Sequence, residues 1–292
     1  MRRAPAEVTR KPVPVPALFI LSGIFTYVGA ALAVGLFQVM SPLGVVWWRG
    51  GVGALALLAL WRPWRTKWTA RRVAVATIFG VVLLGMNILF YQAIALIPMG
   101  TAVSLEFLGP VAVALFRGRG WAPRVAASLA LAGVVAIGGW GLDLGDATVA
   151  TGFGFALAAG AAWAGYILLG SRISREAATG PSLALGLTLA ALLYLPFLHS
   201  PAFDAQFSLP VVLALVGVAV LSTTLPYSIE AIAFGRIKAD TFALLTALLP
   251  ATSVVIGAVM LRQVPNLFEV AGLVLISVAV WLASKEPSAA PS

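Results

Sequence analysis

The chain has 292 residues, of which 61% are hydrophobic and only 10% charged, with a mean hydropathy of +1.02. Soluble domains carry about 25% charged residues, so this chain lacks the polar surface to face water all round and reads as an integral membrane protein. It has no cysteine and one histidine, His199, which excludes disulfides, thiolate chemistry and a Cys/His zinc site, and its net charge of +9 sits in short loops, as a topology signal and not a nucleic-acid footprint.

In chain order, residues 1–16 form a basic cytoplasmic lead-in stiffened by Pro12, Pro14 and Pro16. The apolar run that follows reads as an uncleaved first span, because many further spans come after it. A helix needs about 20 apolar residues to cross the hydrocarbon. Charges and Gly/Pro clusters then divide the chain into ten spans, at 17–37, 43–61, 73–96, 99–116, 122–140, 150–171, 182–199, 210–234, 239–261 and 266–284. The tail, 285–292, is rich in Pro, Ser and Ala and is expected to be disordered.

The basic residues alternate in side. Arg2, Arg3, Arg10, Lys11, Arg62, Arg65, Lys67, Arg71, Arg72, Arg117, Arg119, Arg124, Arg172, Arg175, Arg236, Lys238 and Lys285 fall on one side. Arg262 falls on the other, with Asp143, Asp146 and Asp204. The positive-inside rule makes both termini cytoplasmic in a multi-pass inner-membrane protein.

Two stretches repeat. Ala93-Ile94-Ala95, Thr101 and Pro110 match Ala231-Ile232-Ala233, Thr241 and Pro250, with the same Thr-to-Pro spacing. The repeat offsets span four onto span nine, five spans on, and an odd offset inverts the second half in the membrane. The expected fold is all-α, with ten transmembrane helices as two inverted five-helix repeats at 17–140 and 150–284. Inverted repeats are a common build of secondary transporters, with the substrate site between the halves near the midplane.

A charge at the bilayer centre costs roughly 2.5–3.5 kcal/mol on insertion scales, so charges within spans are expected to face the protein interior. Three are read here: Arg49, Glu106 and Glu230. Pro110 lies four residues after Glu106 and has no N–H for the carbonyl of residue 106. One position thus offers an acid and a freed carbonyl, a place for a cation, a proton or an ammonium group, or else a structural partner for Arg49. Glu230 follows Pro226 by four and matches the neutral Gln92 of the first half; it binds a ligand or reaches Arg236 or Lys238 at the interface. Pro226 and Pro250 break spans eight and nine as Pro110 breaks span four. Asn87, Tyr91, Trp163, Tyr166 and Tyr227 are candidate cavity-lining residues, or packing. Trp61, Trp64 and Trp68 read as interfacial anchors, and Trp47 and Trp48 as the same on the outer side. Ala156, Gly160 and Ala164, at four-residue spacing, allow close helix approach. No phosphate-cradling Gly loop followed by Lys is present, so ATP is not the energy source, and neither a cofactor nor a metal is called for.

These motifs resemble the drug/metabolite transporter superfamily, in its EamA family, and most nearly the threonine/homoserine exporter branch. The resemblance rests on Gly85-Met86-Asn87 through Tyr91, Pro98-Met99-Gly100 through Pro110, Ala158 through Leu168, and Leu221 through Glu230. It implies a basket-shaped bundle with a central cavity open to one side at a time. Members of that branch often have Glu before the span-nine proline, where this chain has Leu249.

Three readings follow. The first is an exporter of small amino acids or related metabolites, with protons as the antiported partner. Glu106 or Glu230 would bind the ammonium group, and Arg49 or freed N–H groups the carboxylate. The second is an exporter of hydrophobic cations, held by Glu106 and the aromatics. The third is a non-transporting membrane enzyme or scaffold, which would gain nothing obvious from two inverted halves.

Overall fold

A computed structural model describes residues 15–117, 121–136, 142–174, 179–203, 207–234 and 249–284. Residues 1–14 of the lead-in, the tail, Arg236, Lys238 and Thr241 lie outside the described residues, as does the side chain of His199.

Among the described residues all regular structure is helical. The helices are α1 (Val15–Leu36), α2 (Pro42–Trp61), α3 (Ala70–Ile94), α4 (Met99–Glu106), α5 (Leu108–Arg117), α6 (Ala122–Ala136), α7 (Ala147–Ser174), α8 (Thr179–Phe203), α9 (Leu209–Ala219), α10 (Leu225–Phe234), α11 (Leu249–Leu261) and α12 (Leu267–Ser284). Five apolar stretches are long enough to cross a membrane: Pro42–Arg65, Ala70–Ile94, Ala147–Gly170, Thr179–Phe197 and Leu209–Ala231. Among the described residues, five shorter apolar helices bring the number to ten. Large apolar side chains face outward, with Phe116, Phe197 and Val259 at 86%, 80% and 74% exposure. In water such a surface would drive aggregation; it fits contact with lipid.

Local chemistry fixes the helix ends. Ser41 caps α2, accepting from the Gly44 N–H at 3.2 Å, with Pro42 in the first turn where its missing N–H costs nothing. Thr69 caps α3 in the same way, accepting from Arg72 N–H at 3.3 Å. Two expected spans are not single helices. The fourth divides at Phe107 into α4 and α5, three residues before Pro110. The eighth contains a five-residue π turn, Val220–Thr224, just before Pro226. In both, a proline removes an N–H from the helical ladder and the backbone readjusts locally.

The helices pair closely: α2 with α8, α6 with α12, α3 with α7 and α8, and α1 with α10 and α11. The α3–α8 crossing is made backbone to backbone. A Cβ on Gly80 would collide with the Gly186 carbonyl, and one on Gly186 with the Ala76 carbonyl. No pair of larger residues fits there.

The tryptophans read as interfacial also make contacts within the bundle. Trp64 is 65% exposed, as an anchor would be. Trp61 instead packs against Gly180 of α8. Trp47 donates its indole N–H to the Ala191 carbonyl of α8 at 3.0 Å, and Trp48 lies edge-on to Phe207 at 5.4 Å. Trp47 and Trp61 thus tie α2 to α8, each with its apolar ring against the neighbouring helix.

Candidate functional site

The eight residues singled out inside the spans, Arg49, Asn87, Tyr91, Glu106, Trp163, Tyr166, Tyr227 and Glu230, all line one cavity of about 660 Å³. It lies between α1, α2, α3, α4, α7, the α9–α10 span and the start of α11.

Arg49 is the hub of its polar side. The residue is 3% exposed. Its Nε–H donates to Thr223 Oγ1 at 2.9 Å, Nη1 to Asn87 Oδ1 at 2.7 Å, and Nη2 to the Ser222 carbonyl. The guanidinium also sits 5.1 Å from the centroid of the Tyr91 ring, within cation–π range. The Ser222 carbonyl is available because Pro226, four residues on, has no N–H to give it. The π turn and its proline thus build the acceptor that a buried arginine requires. Asn87 is held in turn by the Leu83 carbonyl at 2.7 Å and the Tyr227 hydroxyl at 2.9 Å. The hydrogen bonds of Arg49 thus go to neutral oxygens, and toward Glu106 it acts through its charge alone.

Glu106 is 7% exposed and ends α4 at the helix break. Among the described residues its carboxylate has no hydrogen-bond partner, and it faces the cavity. Its carbonyl is not open to the cavity as the proline spacing suggested. The carbonyl packs on α7, where a Cβ at Gly160 would lie 2.8 Å from the oxygen. Gly109, beyond the break, meets the Gly160 carbonyl. The small-residue row of α7 therefore seats the broken helix. Pro110 and Pro226 are buried at their two breaks, and Pro250 is buried in the first turn of α11.

Glu230 accepts from the Tyr166 hydroxyl at 3.3 Å. Tyr166 stacks on Phe79 at 5.0 Å, and Trp163 lies edge-on to Phe107 at 4.5 Å, so both rings are held from behind.

Sequence reasoning missed Ser22, Thr26 and Tyr27 on α1, and Phe90, Ser222 and Leu249, all on the cavity wall. Ser22 and Thr26 stand four apart in an otherwise apolar helix, a polar stripe that marks an inward face. It also missed a third acid within a span. Glu269, in the first turn of α12, is 8% exposed. Its signal was Asn266-Leu267-Phe268-Glu269, the spacing of a capping box.

Relatives agree with this architecture. The chain is 38% identical over 261 residues to the threonine/homoserine exporter RhtA of Escherichia coli K12, covering 89% of this chain and 88% of that one. It is 36% identical over 277 residues to the exporter RhtA of Salmonella typhimurium LT2, covering 94% and 93%. A solved crystal structure with 19% identity superposes with a TM-score of 0.61 over 92% of this chain and 96% of the other, a likeness of fold alone. Residues 150–285 match the family model of the EamA-like transporters. With a multi-pass helical bundle around a polar cavity and such relatives along nearly its whole length, the chain belongs to the EamA-like transporter family.

Proposed function

We propose that the chain is a secondary transporter exporting small amino acids or related metabolites, threonine and homoserine among them, by proton antiport with alternating access. The observation that carries this is Glu106, a buried carboxylate facing the cavity with no hydrogen-bond partner among the described residues. The nearby buried cation, Arg49, gives its three observed hydrogen bonds to other groups. With no hydrogen bond of its own, the carboxylate is left to take a substrate ammonium group or a proton. The two exclude each other at one site, which is the requirement for antiport. Arg49 has five N–H groups, so two remain for a substrate carboxylate.

Helix packing supports the inverted repeat. Take α4–α5 as one crossing and α9–α10 as another. Each close pair then maps onto another, or onto itself, when every crossing is exchanged for the one five places along. Thus α3–α7 maps onto α1–α10, and α2–α8 and α6–α12 each map onto themselves. The loop charges support cytoplasmic termini in the inner membrane.

The test is efflux of labelled threonine from loaded proteoliposomes, with and without a proton gradient. Absence of flux for every amino acid overturns the reading. Flux indifferent to the gradient, and unchanged in Glu106→Gln and Glu230→Gln, removes proton coupling. The second reading, export of hydrophobic cations, is favoured by one observation: the rings of Tyr27, Phe90, Tyr91, Trp163, Tyr166 and Tyr227 line the same cavity as Glu106. A lipophilic cation that is itself transported, while threonine is not, establishes that reading instead.

A further inference from the structure

Glu269 is a buried acid that the central cavity does not use. Its Oε2 accepts from the Asn266 backbone N–H at 2.8 Å, and Asn266 Oδ1 accepts from the Glu269 N–H at 2.9 Å. This reciprocal cap fixes the side chain on its own helix. Its Oε1 then reaches across to α4 and accepts from Thr101 Oγ1 at 2.5 Å. Beside it, Gln263 Oε1 accepts from the Met99 N–H at 3.0 Å, the first amide of α4. Two links therefore tie the start of α4 to the α11–α12 connection and α12.

A second cavity, of about 450 Å³, lies under these links, bounded by Thr101, Ser104, Val254, Gln263, Glu269 and Leu273. Thr101 and Ser104 stand three apart on one face of α4. Glu106 lies about 200° round the helix from Ser104 and lines the central cavity. The eight-residue α4 is thus the wall between two cavities. One end is held by Glu269; the other ends at the Phe107 break, with Glu106 beside it.

Resting on the transporter reading above, we propose that the second cavity is the outward part of the same route. Glu269 is a positioning residue that, through Thr101, holds α4 across that route. Releasing Thr101 lets α4 turn about the Phe107–Pro110 break and joins the two cavities. The polar groups of the second cavity already bond one another, which fits a closed latch and not a vacant binding site.

The chain contains no cysteine, so Ser104→Cys reports alone. Labelling of this variant by a membrane-impermeant thiol reagent, applied outside whole cells, should be slow. Adding Thr101→Val, which keeps the shape but removes the donor, should raise the rate roughly tenfold, the scale of one hydrogen bond to a charged group. Thr101→Ser should restore slow labelling. Glu269→Ala should raise the rate at least as much as Thr101→Val, since it also removes the cap on Asn266, and adding Thr101→Val to it should change nothing further, because the Thr101 donor has already lost its acceptor. In proteoliposomes the same variants should raise the KM for internal threonine, since the inward-open form becomes rarer. Equal labelling rates in all variants, with normal elution as folded protein, overturn the proposal. So does Thr101→Ser behaving as Thr101→Val. A labelling response without flux of any amino acid in the parent chain leaves the latch standing and overturns the transport reading instead.

Discussion

Arg49 and Thr223 are joined by a 2.9 Å hydrogen bond between residues 174 positions apart, and that bond ties α2 to the π turn between α9 and α10. With the Ser222 carbonyl as a second acceptor, the guanidinium holds an irregular piece of helix that would otherwise bury unpaired backbone oxygen.

Arg49→Ala should therefore destabilise the protein by about 3 kcal/mol, because it strands Asn87, Thr223 and Ser222 oxygens together. Arg49→Lys should recover less than half of this, since an ammonium group lacks the planar fork that reaches all three. Thermal unfolding in detergent measures both, and equal stability of Ala and Lys variants would show that the fork geometry is immaterial.

Gly160→Ala should weaken transport and lower the melting temperature, because its Cβ would come 2.8 Å from the Glu106 carbonyl and push the helix break off α7. Gly154→Ala, on the same helix with nothing within 4 Å, should instead stabilise by about 0.5–1 kcal/mol through backbone entropy. The pair separates close approach from helix propensity.

Glu106→Gln should abolish the response of efflux to a proton gradient, since an amide cannot exchange a proton for an ammonium group. Glu230→Gln should do less damage, because an amide oxygen can still accept from Tyr166. Initial efflux rates at two imposed gradients distinguish them, and a normal gradient response in Glu106→Gln defeats the assignment.

Asp146 precedes α7 and accepts from the Thr148 N–H at 2.7 Å. The backbone and side-chain hydrogen bonds of Thr148 hold its carboxyl below the usual range. A depressed pKa gives stability that is present above the unfolded value, about 3.9, and lost as pH falls through the folded one. Asp146→Ala should melt below the parent chain at pH 7, and the gap should narrow at the acid end of a pH series. A gap that does not change with pH would assign the effect to something other than the charge.

Much of this was legible in the sequence, for physical reasons that differ by element. Apolar runs fixed ten helices because lipid contact tolerates no long polar stretch. Charges in mid-span marked Arg49, Glu106 and Glu230, because burying them without purpose is costly. Pro110 announced the break between α4 and α5. Pro226 marked a disturbance in the eighth span, but its form as a π turn was not legible: Leu221-Ser222-Thr223-Thr224 reads as ordinary helix, and the oxygen it offers is taken by an arginine 173 residues away. Glu269 escaped notice because an acid in the first turn of a helix is usually a cap facing water. Here it is both cap and cross-link.

The helix break also sets an electrical depth. The crossing from Met99 to Arg117 rises about 28 Å at 1.5 Å per residue, and Glu106 falls about two-fifths of the way along it. A proton reaching that carboxylate from the Met99 end would traverse about that fraction of the membrane voltage, worth about 1 kcal/mol at 100 mV. The remaining fraction would act on its departure. Membrane potential would thus act on both halves of the cycle, so clamping it should change the turnover rate even where no pH difference is imposed.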